Sequence, residues 1–230
     1  RPPRSTRKES SAASDVYKRQ LAESASWNLG LIQKSASMAA REAAASGINW
    51  TFAPMVDISR DARWGRVMEG GGEDPYLGSK IAVARINGFQ GNSLNDPLTI
   101  AACAKHFAAY GFAESGRDYN TVDMGLQTLN NIVLPPFKAS AEAGVATFMN
   151  SFNELNGVPA TGSKFLQRDI LKGKWNYKGV MVSDWGSIGE MIPHGYSKDL
   201  RDAAKHAILA GSDMDMMSSA YIKHLKNLVE

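Results

Sequence analysis

The sequence predicts an α/β fold, a (β/α)8 TIM-like barrel that is incomplete at one or both ends. Two patterns predict it. Five short apolar runs alternate with segments of helical periodicity, which implies a parallel sheet. Every unusually long polar loop follows a strand, whereas the returns from helix to strand stay short. A third observation sets the extent: eight strands with their helices take about 250 residues before insertions, and this chain of 230 residues carries long loops besides.

Residues 1–20 combine Ser, Arg and Pro without apolar periodicity. They read as a disordered tail, and the abrupt change at Leu21 marks them as a cloning or assembly scar rather than native protein. Residues 21–230 are the expected domain. Trp27 and Asn28 lead into a helix through about Ser46, with Leu29, Ile32, Ala36, Ala39, Ala40 and Ala43 on one side and Gly47 as its stop. Asn49 to Asp57 reads as a strand whose Pro54 marks a strand end or bulge. After a Gly-rich loop, Asp74 and Pro75 take the N-cap and N1 positions of a helix to about Phe89.

Leu98 to Ala104 is the next expected strand, with Lys105 and His106 at its end. A polar loop from Gly111 to about Val122 precedes a helix over Leu126 to Ala143, interrupted at Pro135 and Pro136. Val145 to Met149 follows as a strand, Asn156 and Gly157 mark a turn, and Ser163 caps a helix to about Lys172. Val180 to Val182 is a short buried strand ending at Ser183, Asp184 and Trp185, and Ser187 to Glu190 reads as a capping box. Asp199 to Ala210 is an amphipathic helix closed by Gly211, and Ser212 to Met217 a last strand.

Composition removes several function classes. The chain is 43% hydrophobic, as soluble globular proteins are. No apolar run approaches the roughly 18 residues of a spanning helix, so no membrane partner is expected, and no apolar signal segment is visible. The net charge of +3 sits in the tail: residues 1–20 hold six basic and two acidic side chains, leaving 20 basic against 21 acidic. A neutral body without a basic stripe is a poor phosphate binder, so nucleic acid is not expected. Cys103 is the one cysteine and makes no internal disulfide. His106, His194, His206 and His224 show no metal-ligand spacing, no GxSxG elbow is present, and neither a metal nor a cofactor is expected.

The strand ends deliver polar groups of complementary kind. They are Asp57, then Lys105 and His106, then Met149 and Asn150, then Asp184 and Trp185, then Asp213 and Asp215. Each alone can be a cap or a structural ion pair; together they describe the rim of a polyhydroxyl site, where carboxylate, cations and an aromatic face are all required. Asp184 either caps the turn after it or serves chemistry at a strand's C-terminal end. In the loop RDARWGRVMEGGGEDP, Glu73 and Asp74 oppose a phosphate at the helix N-terminus. Arg66 in that loop donates either to a sugar hydroxyl or to a loop carboxylate. Lys105 as a Schiff-base lysine is a weaker alternative.

The segments GINWTFAPMVDISRDARWGRVMEGGGEDPYLG, CAKHFAAYG, GRDYNTVD, LPPFKA, SFNELNGVPAT and GVMVSDWGSI, in this order, closely resemble the N-terminal barrel domain of glycoside hydrolase family three. The similarity is to the bacterial periplasmic-type β-glucosidase branch and covers roughly residues 21–220.

The resemblance implies a retaining β-glucosidase that removes non-reducing terminal β-D-glucosyl units from a β-linked oligosaccharide or β-glucoside. Asp184 in VSDWG would be the nucleophile. It further implies sugar-hydroxyl contacts to Arg66, Lys105 and His106, stacking on Trp185, a lining role for Met149, and a periplasmic or secreted location. Phe152 stands where related glucanases and fungal relatives carry a Tyr near the nucleophile, and KHFAAYG departs from the KHFPG-like segment of the N-acetylglucosamine branch. In this branch the acid/base Glu comes from a C-terminal α/β sandwich domain, and the first barrel strand carries a sugar-binding Asp. Neither is expected within residues 21–230, so the chain reads as a catalytic-domain fragment. A β-xylosidase or other exo-β-glycosidase of the same family is the alternative, and a non-catalytic sugar-binding barrel is the alternative of another class.

Overall fold

The computed structural model describes residues 20–230. The expected tail therefore lies outside the described residues, except for Gln20, which does not belong to it. Gln20 opens α1 (Gln20–Ser24), is buried, and donates from its side-chain amide to the Met55 carbonyl at 2.8 Å.

The fold is α/β, built on three parallel strands in the order β1 (Cys103–Phe107), β2 (Thr147–Asn150) and β5 (Val180–Val182). Single parallel bridges extend this array on both sides. Trp50 and Met55 meet Ala101 and Lys105 beside β1, and Met214 meets Val182 beside β5. Five parallel segments thus lie in chain order, and among the described residues they do not close into a barrel. The segments expected as strands at Asn49–Asp57 and Ser212–Met217 run alongside the sheet and bond to it through their main chains, the Thr51 N–H to the Ala101 carbonyl and the Cys103 N–H to the Ala53 carbonyl on one side, the Asp213 N–H to the Met181 carbonyl and the Ser183 N–H to the Met214 carbonyl on the other, but regular strand pairing is confined to the single bridges. Pro54 offers no N–H to a ladder, and Asp213 spends its side chain on the Met181 N–H at 2.8 Å.

The strand expected at Leu98–Ala104 is displaced toward the C-terminus. Asp96 holds residues 96–99 in a turn, its side chain accepting from the Leu98 N–H at 2.9 Å and its carbonyl from the Thr99 N–H at 3.1 Å. Consequently Lys105 and His106 lie within β1 rather than beyond its end. On β2 the alternation of a strand is clear. Phe148 packs with Phe107, Phe137 and Tyr177 on the helix side, while Met149 joins Cys103 and Val182 on the other. Asn156 and Gly157, both at positive φ (52° and 81°), turn the chain between β3 (Glu154–Leu155) and β4 (Val158–Pro159), as a two-residue hairpin turn requires.

The helix caps follow the sequence. Asn28 accepts from the Leu31 N–H at 3.0 Å to open α2 (Leu29–Ala45), and Asp74 accepts from the Leu77 N–H at 2.6 Å to open α3 (Pro75–Gln90). Asp199 does the same for Asp202, opening the long helix Leu200–Ala210 that Gly211 ends in a left-handed conformation. The helix expected over Leu126–Ala143 comes as α4 (Leu126–Thr128), a wide-turned stretch Leu129–Val133, and α5 (Pro135–Glu142). Pro135 and Pro136 lack the N–H groups that would continue the ladder, so the turn before them widens and Leu134 bonds back to Leu129. A capping box does not form at α6 (Ser187–Glu190). Gly186 precedes it at φ 73°, and the Ser187 hydroxyl accepts from Thr161 instead, at 3.0 Å.

α2 buries Ile32, Ala36, Ala40 and Ala43 but leaves Leu29 exposed. The small residues let it approach α3 closely at Gly88, where an added Cβ would stand 2.4 Å from the Gln33 carbonyl oxygen and 2.6 Å from the Ala36 Cβ. Neither neighbour has a flexible end to move aside. Gly88→Ala is therefore expected to destabilise the domain by about 2 to 3 kcal/mol, as overpacking does, with a lowered melting temperature as the readout. At the C-terminal end of α3, the Gln90 side chain accepts from the Ala102 and Ala146 N–H groups at 3.2 and 2.8 Å and donates to the Gly144 carbonyl at 3.0 Å. It thereby spans the starts of β1 and β2.

Candidate active site

The C-terminal ends of the parallel segments gather the polar residues. β1 reaches the site through a register shift: Ala104 pairs with Phe148 and Phe107 with Asn150, so three steps on β1 match two on β2. An extra residue of this kind re-aims side chains, and the consecutive Lys105 and His106 both come to lie by Asp184. β5 ends two residues before Asp184, which is 8% exposed.

Asp184 Oδ1 accepts from the Trp185 N–H at 2.6 Å, so the residue does cap its own turn. Its Oδ2 lies 3.5 Å from His106 Nε2, so the carboxylate serves two directions. His106 is fully buried, with its ring edge on Tyr110 at 5.0 Å between centroids. Its Nδ1 and its backbone N–H both lie 2.8 Å from Asp57 Oδ2. Asp57 is accordingly beneath the histidine, 2% exposed, and not part of the expected rim.

The cations are fixed by a carboxylate that the sequence reading did not single out. Glu69 receives two bonds of 2.9 Å from the Arg66 guanidinium and stands 3.9 Å from the Lys105 ammonium. Arg66 thus donates to a loop carboxylate, one of its two expected partners, and its guanidinium lies over the Tyr110 ring at 5.5 Å. The spacing of Arg66 and Glu69, three residues apart at a single helical turn, was the available signal.

Charge in this cluster is governed by burial. Burial raises the Asp184 pKa above the ordinary aspartate value, opposed by the Trp185 N–H and then by Lys105 and Arg66. Burial likewise pushes Asp57 up to about 7 and holds His106 well below its ordinary value, with the cations Arg66 and Lys105 adding to the histidine's shift. Lys105 is lowered by burial and then by Arg66. Glu190 on α6 is pushed up to about 7 by burial and then by the field of Asp184, and sequence reasoning had used it only as a helix cap.

The remaining expected site residues divide. Trp185 is 47% exposed beside Asp184, presenting its indole to solvent. Met149 is buried against Cys103 and Val182 below the polar cluster. Asn150 is turned away and donates to the Ser212 hydroxyl at 2.7 Å. Asp213 pairs with Lys172 at 2.6 Å, and Asp215 accepts from the Ser218, Ala220 and Tyr221 N–H groups, so neither reaches the cluster. Phe152 packs against Tyr119 and Tyr110 at 4.4 and 5.8 Å. Among the described residues no group of three or more His, Cys, Asp and Glu side chains is placed to hold a metal ion. No described helix is long and apolar enough to cross a membrane.

Comparison with known proteins places this cluster in context. The chain is similar to the periplasmic beta-glucosidase of Salmonella typhimurium, 45% identical over 215 residues that cover 94% of this chain and 28% of the relative. It is also similar to a beta-xylosidase of Formosa agariphila, 38% identical over 88% of this chain and 29% of that relative. Among solved structures, the beta-glucosidase of Listeria innocua in complex with glucose superposes with a TM-score of 0.91 at 44% identity, covering 92% of this chain and 30% of that one. A variant of the same enzyme in complex with laminaribiose gives a TM-score of 0.90. The chain thus spans less than a third of the length of these relatives. Residues 16–230 match the Glycosyl hydrolase family 3 N terminal domain, and the chain belongs to that family.

Proposed function

We propose that residues 21–230 form the N-terminal catalytic part of a retaining exo-β-glucosidase, with Asp184 as its nucleophile. The observation that carries this reading is the pair of Asp184 contacts: one oxygen is held by the Trp185 N–H, while the other stands in a buried corner beside His106. A carboxylate there is fixed in direction, largely removed from solvent, and kept ionisable by Lys105 and Arg66. Attack on the anomeric carbon forms a glycosyl ester. The leaving oxygen takes a proton from a carboxylic acid about 5 to 5.5 Å from the nucleophile in retaining enzymes. We assign that acid to a C-terminal α/β sandwich domain of the full-length protein, in keeping with the longer relatives.

Arg66 and Lys105 supply the polar contacts to sugar hydroxyls, Trp185 the apolar face, and Met149 supports the floor, whereas His106, expected as a sugar contact, is fully buried behind Asp184. The five parallel segments in chain order, which among the described residues do not close, fit a section of a (β/α)8 barrel. The substrate is a β-linked oligosaccharide or β-glucoside, and a periplasmic or secreted location is in keeping with the Salmonella relative. A β-xylosidase is the second reading, favoured by the Formosa relative.

The test is mechanism-based labelling of the full-length protein with 2-deoxy-2-fluoro-β-glucoside and with its xyloside counterpart. Faster inactivation by the glucoside, with the label mapped by mass spectrometry to Asp184, is the expected result. A label on another residue, or none, overturns the nucleophile. Preference for the xyloside overturns the sugar.

A further inference from the structure

The Asp57–His106–Asp184 line contains an unresolved contact between acceptors. Asp57 Oδ2 takes both the His106 backbone N–H and, at Nδ1, the ring. With the imidazole neutral and Nδ1 protonated, Nε2 is a bare lone pair 3.5 Å from Asp184 Oδ2. Two buried acceptors at that separation repel unless a proton lies between them. Within the described residues Nε2 has no hydrogen-bond partner, nor does Asp57 Oδ1. Both lie away from the open surface, since His106 is fully buried and Asp57 nearly so. At these separations the three groups titrate as a coupled set.

We propose that Asp57 is a positioning residue for the glycosidase reaction: it orients the His106 ring toward Asp184 and makes the three side chains a single proton-sharing unit. The inference rests on Asp184 being the nucleophile. A proton held between Nε2 and Oδ2 occupies the oxygen that must attack, so the unit has to give up that proton before the glycosyl ester can form. The surroundings set the balance. Asp57 faces the imidazole from the segment before the Arg66 loop, Asp184 faces it from the end of β5, and the Tyr110 ring closes one side. The cations Arg66 and Lys105, with Glu69 between them, bias the unit toward releasing its proton.

Asp57→Asn keeps an oxygen to accept both N–H groups but removes a negative charge from beside the imidazole. Less negative charge disfavours the protonated unit, so its apparent pKa falls. The acidic limb of the kcat/KM profile is therefore expected to move about one pH unit lower. His106→Gln tests the same point if Asp57→Asn does not fold: an amide cannot take up the proton, so the limb moves in the same direction. In the double variant the two shifts do not add, because Asp57 acts through His106.

All proteins are full-length, assayed with an activated aryl β-glucoside, and the parent is labelled with the 2-fluoro glucoside alongside. A labelled parent with limbs unmoved in both variants overturns this inference alone. A parent not labelled at Asp184 overturns the proposed function and this inference with it.

Discussion

Asp184→Asn in the full-length protein is expected to lower kcat for an aryl β-glucoside on the order of 10⁴-fold, as loss of a catalytic group does. The amide is isosteric, and its oxygen still accepts from the Trp185 N–H, the contact that shapes the turn after β5. Folding and substrate affinity should therefore persist, so the loss appears in kcat with KM little changed. What disappears is the charge. A neutral amide oxygen cannot form a glycosyl ester, and the neighbouring carboxylates are engaged elsewhere: Asp57 is covered by His106, Glu69 is committed to Arg66, and Asp213 holds Lys172 and the Met181 N–H. Turnover at the parental rate would remove the foundation of the functional reading.

Lys105→Met is expected to lower kcat/KM on the order of 10²-fold to 10³-fold, a range that corresponds to about 3 to 4 kcal/mol. Methionine replaces the buried stem of the lysine with similar bulk, so the packing beneath the site is kept. The charge change is decisive. Glu69 and Asp184 are then balanced by Arg66 alone, in a region where desolvation already raises the Asp184 pKa. Losing a cation raises it further. The acidic limb of the rate profile should thus move to higher pH, opposite in sign to the change expected for Asp57→Asn. A profile that keeps its limb while losing rate would mean that Lys105 only contacts the sugar.

Much of the fold was legible because local chemistry and tertiary structure agree. Asn28, Asp74 and Asp199 announced their helices through side chains that accept main-chain N–H groups. The run Val180 to Val182 is a strand where its apolar, β-branched character placed one. What was not legible depends on distant partners. Periodicity could not show that Asp96 ties up the start of the next segment, nor that β1 carries an extra residue opposite β2. The same holds for the site. Asp184, Lys105 and His106 were visible as polar residues after apolar runs. The burial of Asp57 under His106 and the bridging of two cations by Glu69 are products of packing between loops far apart in the chain. Asp213 and Asp215 fit the strand-end pattern equally well, yet their oxygens are consumed by Lys172 and by main-chain groups.

Gln90 gives the sheet a fastening remote from its chemistry. One side-chain amide answers three main-chain groups where two neighbouring strands begin, while His106 and Asp184 lie toward the other end. Mechanical anchorage and chemical choice are thereby lodged in different places. If the proposed function holds, evolution can revise which sugar is held at one pole without loosening the seam at the other.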